Sequence, residues 1–302
     1  MLGTGYGQGS GNTAGGGRAE DGNLGRLKRN YMSYLDGKVE EIKEQQNARR
    51  YYHGSQWTEK QIRAFNKRRQ PVVTYNRVGR KINAVVGLLE RQRQDPRAFP
   101  RTPQHEEGAE IATAVLRYVM DEQRWPEKSP EGGLSGAVDG IGGLEIVLEQ
   151  GDRGDIDIGF EIVDPSSFFY DPRSLKPDFS DARYMGVAKW SDLDAAIEMF
   201  PDKEQEIRNS MESGTDLTSN PDTDNKWFSG GENDRRIRIV DHWYMKGSRW
   251  LWCIHTGTVV LAEGESYLTD EKGRSLCKFV MFSANVDHEG DRYGFVRNMK
   301  SS

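Results

Sequence analysis

From Leu27 onward, apolar residues fall at helical spacing. Leu27, Tyr31, Tyr34, Leu35, Val39 and Ile42 recur every three or four positions and form one stripe. That stripe predicts a helix stopping near Gly54. Thr58 followed by Gln61 is a capping-box pair, so a short basic helix is expected over about 59–67. Pro71 interrupts it, and residues 72–75 read as extended. The clearest stripe is Val78, Ile82, Val85, Val86 and Leu89, with Asn76 as N-cap and Pro96 and Pro100 closing it. A further helix is expected over about 106–124, turning Ile111, Val115, Tyr118 and Val119 inward.

After Gly142 the period changes towards 2. Leu144, Ile146 and Leu148 alternate with Glu145, Val147 and Glu149. Ile156, Ile158, Phe160 and Ile162 repeat the alternation after the turn at 151–154, which predicts a hairpin. Residues 183–190 read as a strand, Ser191 as the cap of a short helix, and Pro201 as the start of another. Late strands are expected over 236–245, 249–255, 258–262 and 276–282. The fold class is therefore α+β: N-terminal helices, then a hairpin and a small, mainly antiparallel sheet with short helices. The expected organisation is a disordered Gly-rich tail over 1–25, a mainly helical part over 26–142, and an α/β part over 143–302. A mobile loop is expected within the last part, over 213–234.

Composition adds a charge asymmetry. The net charge is −5, yet residues 26–101 carry 19 Lys and Arg against 7 Asp and Glu. A basic front and an acidic remainder fit a nucleic-acid face, but with no DNA- or RNA-binding module signature beside the charge, the solvated faces of Arg- and Lys-rich helices are the simpler account. Arg77, Arg80, Lys81, Arg91 and Arg93 are the candidates for contact with DNA or with a neighbouring subunit. Two cysteines make no disulfide framework, the apolar runs are too short for a bilayer, and the N-terminus is not a signal peptide. A soluble, intracellular protein without a membrane partner is expected.

Candidate chemistry is thin. Cys253, His255, Cys277 and His242 offer soft ligands, but C-x-H is not structural-zinc spacing, and a sheet packing a thiol and rings accounts for them equally. Asp287, Glu289 and Asp291 form an acidic loop too short for an EF-hand. Asp155, Asp157 and Asp164 could pair as catalytic carboxylates, though the wet face of an amphipathic strand is the simpler account. Trp243, Trp250 and Trp252 suit a core or an interface better than base stacking. No phosphate loop, nucleophile elbow or H-E-x-x-H occurs. Hence no catalytic residue, metal ligand or cofactor is assigned, and no enzyme is expected.

Four stretches, in order, carry a resemblance. The first is Tyr51-Tyr52-His53-Gly54-Ser55-Gln56-Trp57, leading into the short basic helix. The second runs through Pro71, Tyr75 and Asn76 to Gly87 and Arg91-Gln92-Arg93-Gln94-Asp95-Pro96. The third is Asp164-Pro165-Ser166-Ser167-Phe168-Phe169-Tyr170-Asp171-Pro172, followed by Asp181, Arg183 and Tyr184. The last is Tyr293-Gly294-Phe295-Val296-Arg297. Together they resemble the portal (head–tail connector) proteins of short-tailed double-stranded DNA bacteriophages, over roughly residues 27–300.

That resemblance implies a homo-oligomeric ring, dodecameric when full length, at one capsid vertex. Such a ring is the gate for genome packaging by terminase and for DNA ejection, and DNA passes through it without base readout. Capsid or scaffolding proteins and head-completion proteins are implied as further partners. The implied location is the virion, and the host cytoplasm during assembly. Because portal subunits continue into stem helices, clip and crown, the resemblance implies the wing portion, truncated before stem and clip. The alternative left open by the residues is a small nucleic-acid-binding or adaptor module built on the basic helices of 26–101.

Overall fold

A computed structural model describes residues 20–92, 95–150, 156–212, 228–229 and 236–300. In chain order the elements are α1 Glu20–Gly37, α2 Val39–Tyr52, α3 Glu59–Lys67, α4 Arg77–Arg91, α5 Glu106–Glu122 and α6 Trp125–Asp139. Strands β1 Ile141–Gln150, β2 Ile156–Ile162, β3 Phe168–Tyr170 and β4 Tyr184–Asp192 follow, then α7 Leu193–Met199 and α8 Glu204–Glu212. The last part holds β5 Phe228–Ser229, β6 Arg236–Lys246, β7 Arg249–His255, β8 Val260–Glu265 and β9 Phe279–Ser283. Short strands β10 Asn285–Val286 and β11 Arg292–Tyr293 lead into α9 Phe295–Met299. Helices and antiparallel strands in one chain make it an α+β protein, as the periodicities predict.

The chain forms two units that do not follow its linear order. One contains residues 1–38, 167–174 and 180–279; the other contains 39–166, 175–179 and 280–302. The first is built on an antiparallel sheet in the order β3-β4-β6-β7-β8, with β5 also on β6. Helix α1 covers one face: Tyr31 meets Phe169 edge-on at 5.0 Å and Tyr34 meets Tyr170 at 5.2 Å. On the other face Leu193, Ala196 and Ile207 from α7 and α8 pack against Ile237, Ile239 and Ile254. Being covered on both faces, β6 buries consecutive residues from Ile237 to Val240, and its sequence shows no clean alternation.

The second unit packs α2, α4, α6 and α9 around Ala48, Val78, Ile82, Ala137, Val138 and Val296. A three-stranded sheet, β2-β1-β9, adjoins them. Helix α6 is a departure from the sequence reading, which placed no element over 126–142. Pro126 sits at its permissive start and Pro130 lies inside it. Buried Gly132 and Gly136 let neighbours approach, and Phe282 would lie 2.7 Å from a Cβ at Gly136. Tertiary packing outweighs poor helix propensity here.

Several expectations need correction. The stripe from Leu27 to Ile42 is two helices, not one, and after Lys38 the buried positions shift to Glu41, Gln45 and Ala48. Helix α1 starts at Glu20, inside the stretch read as tail. Residues 1–19 and the turn at 151–154 lie outside the described residues, as does all of 213–234 except the two residues of β5. Glu145, placed on the wet face of β1, is 3% exposed, whereas Ile156 and Ile158 are exposed. The contacts of α6 with β2 fall at Phe160, through Trp125 and Lys128, and at Ile162, beside Gly132. Ser191 belongs to β4, and the N-cap position of α7 is Asp192, which makes no side-chain cap bond. Above all, Ile111, Val115 and Tyr118 of α5 face water, and α5 has no buried residue.

Candidate functional site

Most of the motif residues turn out to hold local structure. Asn76 caps α4 and ties it to α2: its Oδ1 accepts the Gly79 N–H at 2.9 Å while its Nδ2 donates to the Tyr52 carbonyl at 2.7 Å. The capping box of Thr58 and Gln61 forms at the start of α3, and Trp57 meets Phe65 edge-on at 4.9 Å. Pro71 is exposed and Tyr75 is 81% exposed, while a Cβ at Gly87 would meet nothing within 4 Å. Gly294 is tight: a Cβ there would lie 2.3 Å from the Val138 carbonyl, so α9 approaches the end of α6 only without a side chain.

The Asp-Pro turns are also satisfied locally. Asp164 Oδ1 accepts the Ser166 N–H at 3.0 Å, an Asx turn next to buried Pro165. Asp171 is buried and accepts the Arg173 N–H at 3.1 Å, with Pro172 half-buried beside it. Asp181 accepts the Ser174 hydroxyl at 2.7 Å, and Arg183 is exposed. Tyr184 is buried and donates to the Asn30 carbonyl at 3.1 Å, and burial pushes its hydroxyl up to about 12. Arg297 donates to Asp287 Oδ2 at 2.9 Å and lies over Tyr293 at 4.4 Å. Asp287 also accepts the N–H groups of Glu289 and Asp291, so the acidic loop is a closed turn.

The strongest electrostatic cluster was not singled out from sequence. Arg49 on α2 clasps Asp139, the last residue of α6, through Nε at 2.8 Å and Nη2 at 3.1 Å. Its Nη2 also reaches Asp164 Oδ1 at 2.6 Å. Asp139 is only 4% exposed, and burial pushes its carboxyl above the usual range against the pull of Arg49. Burial acts in the same sense on Asp164, but the bonds from Arg49 and Ser166 outweigh it and hold that carboxyl low. Only the separation of these residues in sequence hid the cluster. Arg292 is similar: it is fully buried, donates to the Gly290 carbonyl at 2.8 Å, and stacks over Phe179 at 4.7 Å. Both clusters lock elements together.

The Cys and His residues sit in the first unit. His242 and Cys253 are cross-strand neighbours, and the His242 and His255 rings lie 5.9 Å apart. Burial keeps His242 well below its ordinary value, brings His255 to about 4, and pushes both thiols up to about 12. Neutral rings and protonated thiols are core material. Among the described residues no three His, Cys, Asp or Glu side chains come together as a metal site. Asp157 is exposed on β2, apart from Asp164, and Asp155 lies outside the described residues.

The remaining surface features cluster on two helices and a recess. Arg77, Arg80, Lys81 and Arg91 of α4 are exposed, and none pairs with a carboxylate among the described residues; Arg93 lies outside them. An apolar recess of about 540 Å³ lies among Val86, Leu89, Trp125, Leu144, Val280 and Phe282. Its lining lacks the convergent titratable groups that a catalytic centre needs.

A comparison with protein families matches residues 28–247 to the family described as phage P22-like portal protein. The match covers more than half of the chain, and the chain belongs to the P22-like phage portal protein family. Its members are structural proteins, and a phage portal protein is a component of the virion. A comparison with curated proteins finds no match. Among the described residues no helix is long and apolar enough to cross a membrane.

Proposed function

We propose that this chain acts as a subunit of a ring at one capsid vertex, through which terminase packages the genome and from which DNA leaves at infection. The family match over 28–247 is the observation that carries this reading. One feature supports it: charged and apolar side chains left facing water on α4 and α5. Contact with DNA would then run through backbone charge rather than base edges. The motif residues Trp57, Asn76, Asp164, Asp171, Tyr184 and Gly294 serve as framework in this reading, not as contacts.

The test is direct. The purified chain is imaged by electron microscopy and weighed by native mass spectrometry at low and high salt. Closed rings of uniform copy number support the portal reading. A monomer that binds duplex DNA tightly, with a steep salt dependence, supports the nucleic-acid module on residues 26–101 instead.

A further inference from the structure

Two faces of the second unit lack partners among the described residues, and they are complementary. On α4, Arg77, Lys81, Ala84, Leu88 and Arg91 fall on one stripe, opposite the buried Val78, Gly79 and Ile82, with Arg80 alongside. On α5, Glu107, Ile111, Ala114, Tyr118 and Asp121 form the matching stripe, away from the half-buried Val119 and Met120. Each stripe runs about 21 Å. Each is charged at both ends and apolar in the middle, with opposite signs: basic on α4, acidic on α5. None of these charged side chains has a hydrogen bond or ion pair among the described residues. Leu88 is 54% exposed, Ile111 59% and Tyr118 68%.

We infer that the α5 stripe of one copy docks on the α4 stripe of a second copy, making one contact of the ring. This rests on the portal reading and assigns the basic helix to a subunit partner rather than to DNA. Apolar side chains left in water at helical spacing call for a helical partner, and charge selects which one. A lone basic face would suit DNA equally, but DNA leaves α5 unexplained: an acidic helix with four exposed large apolar side chains, Ile111, Val115, Leu116 and Tyr118, repels a phosphate backbone. A second copy satisfies both faces at once. Because the two faces differ, the contact is heterologous, which is the kind a closed rotational ring requires.

The test uses charge reversal on the intact chain, read by sedimentation velocity at low salt. R80E/K81E and E107K/D121K, each introduced alone, should weaken self-association about tenfold. The chain carrying all four changes should recover it, because the signs match again. Mixing the two defective variants should yield an association that neither shows alone, because the unaltered α4 and α5 faces still match and the two reversed faces match each other. Circular dichroism confirms that all variants are folded. Rings in every variant, as in the parent, would overturn this contact and leave the portal reading standing. A parent monomeric at every concentration would remove both. If R80E/K81E loses retention on duplex DNA while self-association is unchanged, the α4 face belongs to DNA and the inference fails.

Discussion

Replacing Arg49 with Ala strands Asp139, a carboxylate that is 4% exposed at the C-terminal end of α6, where the helix dipole is also unfavourable. Removing one partner of a buried pair costs about 3–5 kcal/mol when the other charge stays behind. Arg49 itself is 37% exposed, so solvent already screens part of the pair. The carboxyl also has an escape: it can take up a proton. At pH 7 that costs at most about 4 kcal/mol, at 1.36 kcal/mol per unit from an ordinary Asp value near 3.9. The expected loss at pH 7 is therefore about 2–4 kcal/mol. At pH 5 the same ceiling falls to about 1.5 kcal/mol.

The sign follows from proton binding. In the variant the folded Asp139 binds its proton more readily than the unfolded one, so the variant regains stability as pH falls from 7 to 5. Urea denaturation followed by far-ultraviolet circular dichroism at both pH values measures this. A double-mutant cycle with Asp139→Asn then isolates the pair from the smaller loss at Asp164. A deficit below about 0.5 kcal/mol at pH 7, the size of an exposed ion pair, would refute the reasoning. So would a deficit that grows towards pH 5.

Other residues give independent checks. Asn76→Ala loses both the α4 cap and the bond to the Tyr52 carbonyl, and should cost about 1–2 kcal/mol in the same denaturation assay, while Asn76→Asp keeps the cap and should cost less. Gly294→Ala forces a Cβ to within 2.3 Å of the Val138 carbonyl, so the backbone must shift, and a loss of about 2–4 kcal/mol with reduced hydrogen-exchange protection in α9 is expected. Asp287 is held below the usual carboxylate range by Arg297 and two backbone N–H groups, against the effect of burial. Its contribution is present above the unfolded value near 4 and is lost as pH falls through the lower folded value. Asp287→Asn should flatten that part of an acid titration of stability, and an unchanged profile would count against the assignment.

Local signals were legible in the sequence where the chain itself supplies the partner within a few residues. Thr58 and Gln61 close their box, Asn76 caps α4, and the Asp164 turn forms, because each needs only geometry three positions away or nearer. What failed depends on distant packing. Glu145 turns inward, and the stripe from Leu27 to Ile42 breaks at Lys38 because α1 and α2 belong to different units. Helix α6 forms despite two prolines because Phe282 and Ile162 close on its glycines. Arg49 and Asp139 meet across ninety positions, with no spacing to betray them.

The case of α5 differs in kind from these. Its period predicts a helix over 106–124, and Glu106–Glu122 is a helix. Only the direction of its apolar face was wrong, since Ile111, Val115 and Tyr118 face water. Hydrophobic periodicity reports that a face wants cover, and it says nothing about which molecule provides it. In a monomer such a helix would be a fault, costing solubility with nothing gained. In a subunit of an assembly it is the expected form of half an interface, with the other half on a differently charged helix of the same chain. An oppositely charged, equally bare stripe on α4 is what separates these two readings. In the proposed ring contact, the apolar face of α5 that the sequence turns inward is covered by a second copy rather than by its own unit.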